Sequence, residues 1–157
     1  MKKIRGFSLI ELMVILAVVA IIAAFGVPQI SRMLQTNRTV TALNSLSAHL
    51  NLARSEAVRR SSSVSVAGLD PAKPAQWELG WVVFVDTNTN GALDAGEKEL
   101  RVVNALDIPN FTITPDVNSV TYERLGAVIA ENSFTLTEYG QPSRTLKVSA
   151  TGHVSIP

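Results

Sequence analysis

Apolar and polar positions divide the chain into three stretches, each with its own period. Residues 7–27 are apolar almost without interruption, and Glu11 is the one ionisable side chain among these 21 positions. At the helical rise this run is about 31 Å long, enough to span the hydrocarbon core of a bilayer. Beyond Pro28 the pattern becomes one-sided. Val40, Leu43, Leu46, Leu50, Ala53 and Ala57 recur at spacings of three and four, the stripe of an amphipathic helix with one face turned to a core. His49 lies on that helix with no second His nearby in sequence and reads as an ordinary helix residue. The stripe stops before Ser61-Ser62-Ser63, because Ser competes with the helix for backbone hydrogen bonds. Arg59 and Arg60 suit the negative end of the helix dipole there.

From residue 63 the period falls to two. Strands are predicted over residues 64–66, 76–85, 99–103, 111–114, 120–122, 134–137, 145–149 and 153–156. Turn chemistry separates them at Asp70-Pro71, Lys73-Pro74, Asn90-Gly91, Ile108-Pro109-Asn110, Thr114-Pro115-Asp116, Tyr139-Gly140-Gln141-Pro142 and Thr151-Gly152. The expected fold is α+β: a long N-terminal helix, transmembrane in its first half and amphipathic in its second, packed against an antiparallel β-sheet head. The expected divisions are a leader at 1–6, a membrane helix at 7–28, a stem helix at 29–62 and a β head at 63–157.

Composition narrows the chemistry. The 157 residues include no Cys, which excludes a disulfide scaffold, a thiol nucleophile and a Cys-ligated metal. The two His are far apart, and there is no Gly-x-Ser-x-Gly elbow or phosphate-cradling glycine loop, so the sequence reads as a non-enzyme with no expected cofactor. Charge is nearly balanced, at 14 Lys+Arg against 13 Asp+Glu, but unevenly placed. The stem, with five Arg and one Glu over residues 29–60, carries about +4. Residues 61–157, with 11 acids and six bases, carry about −5. Opposed charge on two parts of one chain suits side-by-side packing of copies or relatives.

Glu11 carries the most information. A carboxylate within an apolar helix costs about 2.5–3.5 kcal/mol on insertion scales and marks function. No Lys or Arg lies between Glu11 and Arg32, so its partner comes from another chain or from a newly made amine. Cutting after Gly6 creates such an amine on Phe7, one helical turn before Glu11. A secretory signal fits poorly, since residues 24–28 (Ala-Phe-Gly-Val-Pro) make a weak cleavage site. Lys2, Lys3 and Arg5 hold the start on the cytoplasmic side.

The run Gly6-Phe7-Ser8-Leu9-Ile10-Glu11 after a basic leader resembles the type IV prepilin signal of pilins and pseudopilins. The resemblance implies cleavage after Gly6 by a prepilin peptidase, N-methylation of Phe7, pairing of Glu11 with the N-terminal amine of a neighbouring subunit, and a bend or local melting at Pro28. It places the protein in the bacterial inner membrane, single-pass with a periplasmic head, and then in a surface pilus or periplasmic pseudopilus. The stem run Leu52-Ala53-Arg54-Ser55-Glu56-Ala57-Val58 is similar to the GspH/FimT branch. So are the strand Gly80-Trp81-Val82-Val83-Phe84-Val85-Asp86, the loop that follows it, and the late Ala150-Thr151-Gly152-His153-Val154. That branch implies a low-copy minor pilin that primes or caps pilus assembly for twitching, adhesion or DNA uptake. A type II secretion pseudopilin and a DNA-binding minor pilin stand as alternatives. Its partners are other major and minor pilins or pseudopilins.

Two ligand sites are weighed on residue type. Residues 86–97 match the spacing of a calcium loop: Asp86, Asn88, Asn90, Ala92 at the seventh position, Asp94, and Glu97 closing it. The flanks read as strands, so a solvated hairpin loop turning at Asn90-Gly91 is the competing reading. DNA binding needs clustered bases. DNA-capturing members of the branch carry an Arg-rich motif near the C-terminus, whereas residues 151–157 here hold no Arg. The nearest bases are Arg144 and Lys147, and DNA is the less favoured partner.

Overall fold

The computed structural model describes Phe7 and residues 9–157, without the side chains of residues 26–28, 31, 32 and 35. The leader with Gly6, and the side chains of Pro28 and Arg32, lie outside the described residues. The chain divides into two units, Met1–Asn37 and Arg38–Pro157. That division falls inside the single helix α1, Leu9–Arg60.

In the first unit, the apolar side chains described between Leu9 and Phe25 are exposed. A helix apolar on all sides gains stability only when lipid or other helices cover it. Among the described residues, no helix is long and apolar enough to cross a membrane; the 21-residue run read from the sequence includes Ser8, Gly26 and Val27, which lie outside that description. The helix continues through position 28.

The second unit has a main core shared by α1 and both sheets. Leu43, Leu46, Leu50, Ala53 and Ala57 of α1 are buried in it, as the stripe predicts, each large side chain worth about 1.5–3 kcal/mol of burial. The helix ends where expected. Ser61 takes a left-handed backbone (φ 50°), the N–H of Ser62 donates to Ala57 O and that of Ser61 to Val58 O, both at 3.3 Å. These two bonds satisfy carbonyls that a helix end leaves open, usually with glycine in the place of Ser61.

Eight strands follow: β1 Val64–Gly68, β2 Gly80–Val85, β3 Lys98–Asn104, β4 Phe111–Pro115, β5 Ser119–Tyr122, β6 Asn132–Glu138, β7 Arg144–Val148 and β8 Val154–Ser155. They form two four-stranded sheets in the orders β3-β2-β1-β5 and β4-β6-β7-β8, with antiparallel pairing throughout. The sequence did not separate one sheet from two, because hairpin signals do not say which strands meet across the fold. The strand expected over 76–85 is shorter. Trp77–Leu79 forms a 3-10 turn, and Gly80, at φ 110° with no room for a Cβ beside Val103 O, starts β2. Val64, Val66, Trp81, Val83, Val120 and Tyr122 of the first sheet and Phe111, Ile113, Phe134, Leu136, Leu146 and Val148 of the second meet α1 in the common core.

Candidate functional site

Phe7 and Glu11 stand at the start of the apolar helix. Phe7 is 72% exposed, and Glu11 is exposed in the first turn of α1. A carboxylate is favoured at that end by the unpaired N–H groups of the helix. No ion pair to Glu11 exists among the described residues. Among the described residues, the carboxylate thus stands exposed on a helix whose apolar side chains between Leu9 and Phe25 are also exposed.

The loop 86–97 joins β2 to β3 and is held from its buried end. Asp86 is fully buried. Its Oδ2 accepts from Ser65 Oγ at 2.7 Å and Gly91 N–H at 2.8 Å, and its Oδ1 accepts from Asn90 N–H at 3.2 Å. Ser65 Oγ also lies 2.7 Å from Thr121 Oγ1, so a polar chain crosses from β1 to β5 beneath the loop. Gly91 (φ 73°) approaches β5 so closely that a Cβ would sit 2.2 Å from Ser119 Oγ. The turn therefore needs glycine for two reasons, conformation and space.

The other proposed calcium donors are turned on one another. Asn88 Nδ2 and Asn90 Nδ2 donate to Asp94 Oδ2 at 2.8 and 2.7 Å. Ala92 N–H donates to Asn90 Oδ1 at 2.8 Å. Glu97 accepts from Thr87 N–H at 2.7 Å and from Asp94 N–H at 3.1 Å. The loop folds with its oxygens satisfied by its own N–H and amide groups, and among the described residues no three His, Asp or Glu side chains gather to hold a metal ion.

Arg144 and Lys147 do not form one basic patch. They are three residues apart on β7, where side chains alternate between faces. Leu146 and Val148 of that strand enter the core, so Arg144 shares the core side and Lys147 the outer side. Lys147 lines a cleft of about 420 Å³ with Asp116 and Glu131, two carboxylates that would repel a phosphate.

Other anchoring groups carried no signal in the sequence. Arg54 donates to Gly126 O at 3.1 Å and to Thr151 O at 3.0 Å, tying one loop from each sheet to α1. Gly152 (φ 75°) explains the late glycine motif, since a Cβ there would lie 2.0 Å from Gly126 O. Tyr122, beside this clip, is buried; burial pushes its phenol well above the usual range, against the pull of Arg54. Glu138 is buried and accepts from Thr39 Oγ1 on α1. His49 is not an ordinary helix residue. Its Nδ1 accepts the indole N–H of buried Trp81 at 3.3 Å, and the two rings meet edge to face with centroids 5.9 Å apart. Burial, then the nearby Arg101 charge, lower its proton affinity, against a hydrogen bond to the Ser45 backbone.

Residues 42–152 match the family described as Type II transport protein GspH, and residues 1–27 match the prokaryotic N-terminal methylation motif. A fimbrial protein of Pseudomonas aeruginosa is 32% identical over 107 residues, which cover 68% of this chain and 64% of that protein. The pilin-like protein PilA1 of Thermus thermophilus is 30% identical over 96 residues, 60% of this chain and 56% of its own length. The chain thus spans between 56% and 64% of the length of these curated relatives. Among solved structures, the type IV minor pilin FimU of Pseudomonas aeruginosa superposes with a TM-score of 0.63, covering 78% of this chain and 90% of FimU at 24% identity. The minor pseudopilin EpsH from the type 2 secretion system of Vibrio cholerae gives 0.55, covering 76% and 96% at 10% identity. Both share the helix-on-sheet α+β fold.

Proposed function

We propose, from the premise that this chain belongs to the GspH family of type IV pilin-like proteins, that it is a minor pilin whose incorporation primes or caps a pilus. Members of the family assemble with other pilins into filaments and are not enzymes. The observation that carries the finer reading is the exposed Glu11 one turn past Phe7, within the matched methylation motif. A prepilin peptidase cuts after Gly6 and the new Phe7 amine is methylated, while the apolar helix keeps the subunit in the inner membrane with its head outside the cytoplasm. Glu11 then accepts the Phe7 amine of a neighbouring subunit. That pairing neutralises a carboxylate that is costly in hydrocarbon and couples extraction from the membrane to packing of helix on helix.

The fimbrial relative favours a pilus, and the family description favours a type II secretion pseudopilus as the second reading. Deletion of the gene separates them. The major pilin sheared from cells falls steeply and returns on complementation if the chain primes a pilus. Unchanged piliation with a loss of type II secretion assigns it to the pseudopilus. In either filament, Glu11→Ala leaves membrane insertion intact and abolishes incorporation; normal incorporation of that variant sinks the assembly mechanism. DNA uptake draws no support from Arg144 and Lys147, which lie on opposite faces of β7.

A further inference from the structure

Two sheets have four edges, and this chain closes or shortens three of them. The outer edge of β5 meets residues 127–129: Tyr122 bridges to Val128, and Ile129 N–H donates to Thr121 O at 3.1 Å. The outer edge of β4 meets the carboxylate of Glu78, which accepts Ile113 N–H at 3.0 Å. The edge strand β8 has only two residues. Strand β3 differs. It runs for seven residues, is paired on one side only, to β2, and is exposed or half-exposed along its whole length. A bare edge of this length is a template for another strand.

The chemistry of that edge is set by a bulge. Pairing shifts from Phe84↔Glu99 to Val83↔Arg101, so Leu100 is an extra residue. Lys98 and Arg101 are three apart and would otherwise point to opposite faces. With the bulge they lie across from Val85 and Val83 on the same, α1-facing side, where Arg101 is close enough to His49 to lower its proton affinity. The head carries about −5 overall, yet this edge presents two cations on one face.

We infer that β3 is the edge on which the head takes up a neighbouring filament subunit, by addition of an extended segment that places carboxylates against Lys98 and Arg101. The inference rests on the filament-subunit reading above. Main-chain bonds of such an added strand supply affinity, and side chains at alternate positions supply selectivity. The neighbour is a different subunit, because the β3 of a second copy holds one carboxylate, Glu99, beside two cations and so cannot set carboxylates against both Lys98 and Arg101, while its own cations add like-charge repulsion across the pair.

The test uses full-length protein in a piliated or secreting host. The parent, the charge-reversed K98E/R101E and the charge-conserving K98R/R101K are each expressed, and the subunit is quantified in filaments sheared from the cells. Parent and K98R/R101K incorporate equally, whereas K98E/R101E falls by about tenfold, with its melting temperature within about 2 °C of the parent. Equal incorporation of K98E/R101E overturns the inference. A parent absent from filaments instead overturns the filament-subunit reading, and the inference with it. A second measurement does not depend on the charge variants: the chain has no Cys, so Val102→Cys carries one photo-crosslinker on β3. A crosslinked peptide from a strand of another subunit bearing Asp or Glu supports the inference; crosslinks only to a helix, or none, overturn it.

Discussion

The two sheets of the head solve the burial problem in different ways. The second sheet alternates: Phe111, Ile113, Phe134 and Leu136 enter the core, while Thr112, Thr114, Thr135 and Thr137 face solvent. The first sheet has no such solvent face at its centre. Trp81, Val82, Val83 and Phe84 are successive residues of β2, and all are buried. Val82, Phe84 and Ala67 form a small separate cluster on the outer side, with Leu69 packed against it, and Val82 and Ala67 line a cleft together with Asn90, Gly91, Ala92 and Leu93. The difference teaches that residues 86–97 are part of the packing of the first sheet. Its outer residues 87–90 and 92–96 stay exposed, whereas the buried carboxylate of Asp86 needs the partners it has because water does not reach it.

The largest test of this contrast places the same kind of truncation on the outward face of each sheet. Phe84→Ala removes a buried ring and costs about 4 kcal/mol. Thr135→Ala, pointing outward from β6, stays within about 0.5 kcal/mol. Urea unfolding followed by the fluorescence of buried Trp77 and Trp81 measures both. Equal costs would mean that the outer faces of the two sheets are covered alike.

The next test acts on the polar side of the same cover. Asp86→Ala leaves the Ser65 hydroxyl and the N–H groups of Asn90 and Gly91 without their acceptor. Stranding buried donors costs roughly 3 kcal/mol here. Asp94→Ala, on the exposed part of the loop, costs less than about 1 kcal/mol. The same unfolding curves separate the two, and a cost at Asp94 as large as at Asp86 would show the loop to be held from its outer end.

How much of this was legible in the sequence follows the same division. The apolar run, the stem stripe and all eight strands could be read, with strand ends off by one or two residues and 76–79 wrongly included, because burial on one face imposes a period of 3.6 or 2. The N-terminal methylation motif was legible too, since one carboxylate in an apolar run has few bland explanations. Partnerships across the fold were not. Nothing local says that Asp86 turns inward while Asp94 stays exposed, and both count equally as oxygen donors in a spacing pattern. Arg54 reads as one more exposed stem cation until Gly126 and Thr151 are brought to it. Arg144 and Lys147 are near one another in sequence, but sequence distance ignores the alternation that sets them on opposite faces of β7. His49 reads as an ordinary helix residue because Trp81, 32 positions away, gives no sign of its approach.

That last contact yields the smallest expected effect, and it bears on the first sheet from its α1-facing side. The Trp81 indole can donate to Nδ1 of His49 only while that nitrogen is unprotonated. Burial, first, and the Arg101 charge both hold the His49 pKa below its ordinary 6.5. The unfolded chain, with His at its ordinary value, therefore binds more protons than the folded one in the window below pH 6.5, so folding stability rises with pH there. The contribution is fully present above pH 6.5 and is lost as acid carries the protein down through the lowered value. The melting temperature of the parent accordingly declines between pH 7.5 and 5.5 by more than that of His49→Gln, which cannot titrate. His153 is common to both proteins and cancels in the comparison. Arg101→Gln sharpens the assignment: removing the nearby charge raises the His49 pKa and shrinks the acid loss without abolishing it, because burial is the larger cause. Identical pH profiles for the parent and His49→Gln would show that the indole bond does not control the proton, and that the first sheet is held against α1 by apolar packing alone.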